Sequence, residues 1–120
     1  MFDAGALIAL EKRQGPMLAI MDQLLRNAEA ITIPSTVLAQ VWRNDPRQHR
    51  LATVTRWADI ADLDVASARE VGTLLAESGT RDVVDAHVIV TARTAHADRI
   101  ITSDPEDLTA LDSTIRLWTI

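Results

Sequence analysis

Two short acidic segments and one isolated carboxylate are the residues most able to do chemistry. Asp82-Val83-Val84-Asp85-Ala86 lies in an apolar, helix-periodic run. Thr102-Ser103-Asp104-Pro105-Glu106-Asp107 follows the apolar pair Ile100-Ile101, and Asp3 sits in Phe2-Asp3-Ala4-Gly5-Ala6. Carboxylates at the carboxyl ends of strands, with another on a neighbouring helix, supply the oxygen donors that Mg2+ or Mn2+ prefers. Converging carboxylates repel one another, and one or two divalent cations relieve that repulsion. Such ions also lower the pKa of a bound water and stabilise charge on an attacked phosphate. The predicted chemistry is therefore metal-dependent phosphodiester hydrolysis, which needs no serine, cysteine or histidine nucleophile. His49, His87 and His96 lack metal-binding spacing and are read as structural or surface residues.

Each acid also has a plainer use. Asp3 follows a two-residue strand and is placed to cap the next helix, so capping and metal ligation both stay open. Asp82 opens its helix, where the macrodipole favours a negative charge, and is read first as an N-cap. Asp85 shares a helix face with Asp82 but lies one turn further in, among Val84, Ala86, Val88 and Ile89. A carboxylate there needs a partner. A metal is preferred to an ion pair with Arg81 or Arg93. Asp104-Pro105 reads as a helix start, and Ser103 to Glu106 fits a capping box.

The elements that must position these acids can be read from periodicity. Helices are expected at Ala4–Arg13, stopped by Gly15-Pro16, at Met17–Ala28, and at Thr36–Arg43 after the start signal Pro34-Ser35. Another restarts at Asp45-Pro46 and carries Arg47, Arg50, Val54 and Trp57. Further helices are expected at Val65–Ser78 (stopped by Gly79), Asp82–Ala97 and Pro105–Leu111. Strands are expected at Ala30–Ile33, Ile60–Leu63, Arg99–Thr102 and Ile115–Thr119. Alternating strands and helices predict an α/β fold, one domain over 1–120, with a central, mostly parallel sheet of four to five strands flanked by helices. Ligand sites in such sheets lie outside the carboxyl ends of the strands, where Asp3 and Asp104 fall. The shortness of the first strand leads to the expectation that further residues precede Met1.

Composition sets outer bounds. The 120 residues are 48% hydrophobic and 24% charged, which suits a folded domain rather than a disordered one. Cysteine is absent, which removes disulfides, thiolate zinc sites and a cysteine nucleophile, and fits a reducing cytoplasm. No signal peptide or membrane span is evident. The net charge of −5 argues against a general nucleic-acid coat protein. Yet Arg43, Arg47, Arg50 and Arg56 cluster with His49 around a single acid, Asp45. That stretch is either a phosphate-contacting surface for RNA or a solvated helix face. Trp42 and Trp57 are read as core or dimer contacts ahead of base stacking.

The order and spacing of these segments resemble the PIN-domain ribonucleases, especially the VapC toxins of bacterial toxin–antitoxin pairs, over nearly the whole chain. The resemblance rests on Asp3, on Asp85 through Ala92 (Asp-Ala-His-Val-Ile-Val-Thr-Ala), on Thr102-Ser103-Asp104, and on Asp107-Leu108. It implies catalytic and metal-binding roles for Asp3, Asp85 and Asp104, with Asp82, Asp107, Thr102 and Ser103 in support. It also implies endoribonuclease activity with Mg2+ or Mn2+, inhibition by a VapB-like antitoxin, and a homodimer. Two positions depart from the pattern. Gln40 stands where a glutamate is expected, which removes a negative charge and weakens a second metal site. Gly5 stands where a serine or threonine is common, which removes a supporting hydrogen bond.

Two rivals follow. A PIN fold that binds RNA or protein without cutting is supported by Gln40. A phosphoacceptor receiver domain also has an aspartate pocket, and Asp62 and Asp64 lie on the middle strand. It needs a late lysine, however, and Lys12 is the only lysine.

Overall fold

The computed structural model describes residues 1–120. Its first helix, α1 (Ala4–Glu11), begins at Asp3, whose carboxylate accepts the Ala6 N–H at 2.8 Å. The helix ends before the expected Arg13, which takes a positive φ of 57°. Helix α2 (Gly15–Arg26) starts two residues early because Pro16 supplies a preset first turn. Strand β1 (Thr32–Pro34) leads directly into α3 (Ser35–Val41). The helix expected at Asp45-Pro46 forms as a 3-10 turn at Pro46–Gln48 followed by α4 (His49–Trp57).

Strand β2 (Asp59–Ala61) precedes α5 (Val65–Ser78). This helix is capped by Asp64, which accepts the Ser67 N–H at 2.8 Å, and is terminated by Gly79 at φ 69°. Only a residue without a Cβ adopts that left-handed stop at little cost. Helix α6 (Val83–Thr94) is shorter than the predicted span but buried continuously from Ala86 to Ala92. Strand β3 (Ile100–Thr102), helix α7 (Pro105–Leu111) and strand β4 (Leu117–Thr119) complete the chain.

Every strand pairing is parallel. β1 pairs with β2 (Ile33 opposite Ile60) and β3 with β4 (Ile101 opposite Trp118). In place of one sheet of four to five strands there are thus two two-stranded sheets. The reason lies in the segment between them. Residues 1–3 form a single bridge, Phe2 to Ile101. Even so, their backbone reaches both sides: Phe2 N–H donates to Thr32 (3.1 Å), Ile101 N–H to Met1 (2.9 Å) and Asp3 N–H to Ile101 (3.3 Å).

One hydrophobic core of 25 buried residues joins these layers. It runs from Phe2 and Leu7 through Ile33, Leu51 and Val71 to Ile89, Ile100 and Leu108. The tryptophans are not part of it: Trp42 is 37% exposed and Trp57 62%, which corrects the core reading of both. α4 spends its buried positions on Leu51 and Val54, one turn apart, so Trp57 projects outward. No helix is long and apolar enough to cross a membrane.

Candidate active site

Because Phe2, Ile101 and Trp118 run parallel, Asp3 and Asp104 emerge at the same edge of the strands. Asp3 is almost fully buried, at 7% exposure. Burial pushes its carboxyl above the usual range, while Thr102 and the N–H groups of Ala6 and Gly5 pull it back and the charge of Asp104 raises it again. Asp3 therefore caps α1, as one of its two readings expected, and feels the charge of Asp104.

Thr102, fully buried at the end of β3, links the two acids. Its hydroxyl faces the Asp3 carboxylate and accepts the Asp104 N–H at 2.9 Å. Asp104 itself stands at the entrance to α7 with no capping bond, so the expected Ser103–Glu106 box does not form. Thr102 has taken the turn's N–H instead.

Asp82 caps α6, accepting the Asp85 N–H at 3.0 Å. Asp85, partly buried one turn in, is pushed up to about 6. Burial is the main cause, and the remaining contributions all come from negative neighbours: Asp82, Asp107, Asp3 and Asp104. This brings all five predicted acids into one electrostatic group. Asp107 is raised as well, first by the charge of Asp104. No cation balances Asp85. Arg93 instead pairs with Asp112 at 2.7 Å, and Arg81 forms no ion pair.

The donor chemistry suits a hard divalent cation, since carboxylate oxygens dominate and no base neutralises them. As the side chains stand, no three His, Asp or Glu groups approach closely enough to hold one ion. Asp82, Asp85 and Asp107 instead line an open cleft of about 150 Å³ with Thr80, Arg81, Ala110 and Leu111.

The other predicted residues are scattered. Gln40 is exposed on α3 and makes no side-chain hydrogen bond. Ser103 is exposed and sits over Gly5, so that a Cβ on residue 5 would collide with its hydroxyl and come within 3.1 Å of its backbone nitrogen. Arg43 donates to the Trp42 carbonyl at 2.7 Å, and Arg47 forms a two-pronged pair with Asp45 (3.0 and 2.8 Å). Arg50 is partly buried in a groove beside His49 and Trp57. Two of the three basic candidates are thus engaged within the chain.

Sequence reasoning missed Gln48. It is 4% exposed, accepts the Arg43 N–H at 2.9 Å and donates to the Val41 carbonyl at 2.9 Å. No local pattern marks a glutamine that staples a loop. His87 was read as structural, and it is: its Nδ1 lies 2.7 Å from the Thr36 hydroxyl in a nearly closed site, and burial lowers its pKa.

No family model matches the sequence, and no curated protein matches it. Among solved structures the chain is similar to one in the crystal structure of VapBC2 from Rickettsia felis bound to a DNA fragment from their promoter. The TM-score is 0.72 at 18% identity, over 100% of this chain and 97% of that one. At that identity the likeness is one of fold.

Proposed function

We propose that this chain is a metal-dependent endoribonuclease with a PIN-like fold, the VapC-type toxin of a toxin–antitoxin pair. The observation that carries the reading is the surrounding of Asp85, a partly buried carboxylate raised by four acidic neighbours and ion-paired with no base. An isolated group of this kind is costly unless something positive binds it. The full-length fold likeness to a chain of a VapBC2 complex supports the same reading. Residues 1–3 would serve as the central strand of one sheet ordered β2, β1, residues 1–3, β3, β4.

Asp3, Asp85 and Asp104 would hold Mg2+ or Mn2+, with Asp82 and Asp107 beside them; the bound ion supplies an activated water and charge stabilisation at the phosphate. Thr102 fixes Asp3 and Asp104 relative to each other. Asp82 fixes the first turn of α6 and so the place of Asp85. The proposed partners are an RNA substrate, a VapB-like antitoxin and a second copy of the chain, in the cytoplasm. Arg50 would add a phosphate contact, and Arg43 and Arg47 would do so once released from the Trp42 carbonyl and from Asp45.

The test is cleavage of a mixed-sequence RNA by purified protein with Mn2+ or Mg2+, and its loss in Asp85→Asn. RNA that stays intact with both metals sinks the nuclease reading. Binding without cutting would then favour the second reading, a PIN-fold binding module, for which the exposed Gln40 and the open carboxylate geometry speak.

A further inference from the structure

Arg81 stands out from the other cations of the chain. It lines the 150 Å³ cleft together with Asp82, Asp85 and Asp107, yet it is exposed and takes part in none of the four ion pairs. A guanidinium that lines the same cleft as three acids yet pairs with none of them keeps its donors free for another anion.

The backbone that carries it is anchored on both sides. Gly79 ends α5 in a left-handed turn, the Ser78 and Thr80 hydroxyls lie 2.8 Å apart, and Asp82 is locked as the cap of α6. Arg81 is thus held at the rim rather than carried on a free loop.

The size of the cleft narrows what it accepts. At about 150 Å³ it is roughly half the lower limit of a usual small-molecule pocket, so it suits one group of a larger substrate. A cleft lined by acids in a chain of net charge −5 repels a polyanion unless a cation meets the backbone at its edge. Arginine suits that role because its planar fork binds two phosphate oxygens at once.

We propose that Arg81 binds a backbone phosphate of the RNA next to the bond cleaved at the acidic group, which the cleft adjoins through Asp85. The assignment rests on the ribonuclease reading and adds to it the residue that brings the substrate in.

The test compares wild type, Arg81→Gln, Arg81→Lys and Arg69→Gln, the last being an exposed, unpaired arginine on α5 away from the cleft. Cleavage of a fluorescent mixed-sequence RNA is followed with Mn2+ over a range of substrate and salt concentrations. Arg81→Gln is expected to raise KM about tenfold with kcat little changed, the worth of one charge-assisted contact. The slope of log affinity against log salt should fall in magnitude by about 0.7, one single-strand phosphate contact. Arg81→Lys should recover part of the loss, and Arg69→Gln should match wild type. Equal effects of Arg81→Gln and Arg69→Gln, or none from Arg81→Gln, overturn the assignment while leaving the nuclease intact. A wild-type protein that neither cuts nor binds the RNA overturns the function itself, and this assignment with it.

Discussion

The Asp104 N–H donates to the Thr102 hydroxyl at 2.9 Å, and the same hydroxyl faces the carboxylate of Asp3. One oxygen, with no exposure to solvent, therefore ties the two ends of the chain's acidic group together. Thr102→Val keeps the shape and deletes the link. It should destabilise the fold by about 0.5–1.5 kcal/mol, the usual net worth of a hydrogen bond, because the half-buried Asp104 N–H can still find water. Thr102→Ser should restore most of it. In the proposed reaction the valine variant should also turn over roughly tenfold more slowly, as expected when the group orienting a ligand is lost. Urea denaturation and initial rates on RNA give the two readouts.

Asp85 predicts a pH dependence whose sign can be worked out. Its folded-state pKa, about 6, lies above the ordinary carboxylate value of 3.8. Between those values the folded chain holds a proton that the unfolded chain releases, so raising the pH through this window weakens the fold. Without divalent metal, Asp85→Asn should be more stable than wild type at pH 7, on the order of 1 kcal/mol after solvent screening. The gap should close by pH 4. Thermal melts of both proteins in a chelator check this; a constant gap across the range would refute it. Adding Mn2+ at pH 7 should raise the melting temperature of wild type and leave the variant unmoved.

Gly5 predicts a steric effect. A side chain at this position meets the Ser103 hydroxyl and, at 3.1 Å, the Ser103 backbone nitrogen. Gly5→Ser should destabilise by about 1–3 kcal/mol, the usual range for overpacking. Ser103→Gly in that background should relieve part of the cost but not all, since the backbone contact remains. A double-mutant cycle on chemical denaturation measures the coupling.

Gln40 lies exposed with no hydrogen bond to lose. Gln40→Glu should shift stability by less than about 0.5 kcal/mol, as a surface change does. The added carboxylate should strengthen the response to Mn2+ if α3 contributes to the metal site. An unchanged melting-temperature increment across an Mn2+ titration would remove α3 from it.

Much of the fold was legible because local signals coincide with the elements. Gly79, Pro105 and Asp82 mark boundaries that recur at or within one residue of the expected positions. The gathering of five acids from three separate segments was legible only through their positions at strand and helix ends. What could not be read depends on long-range contact. Trp57 looks like core by residue type, yet Leu51 and Val54 fill the buried face of its helix. Gln48 looks like surface, yet its amide satisfies two backbone groups of a loop. The Thr102 hydroxyl hints at a helix cap, but its second contact, with Asp3, arises from folding residue 3 beside residue 101.

That last contact has a kinetic side. Closing Phe2 onto Ile101 brings together positions at opposite ends of the sequence, and the entropy of that closure is recovered only after nearly every intervening helix has packed. Asp3 and Asp104 cannot meet in a half-made or clipped chain. A fragment ending before β3 lacks both Asp104 and the strand that Phe2 joins, so it cannot assemble the acidic group.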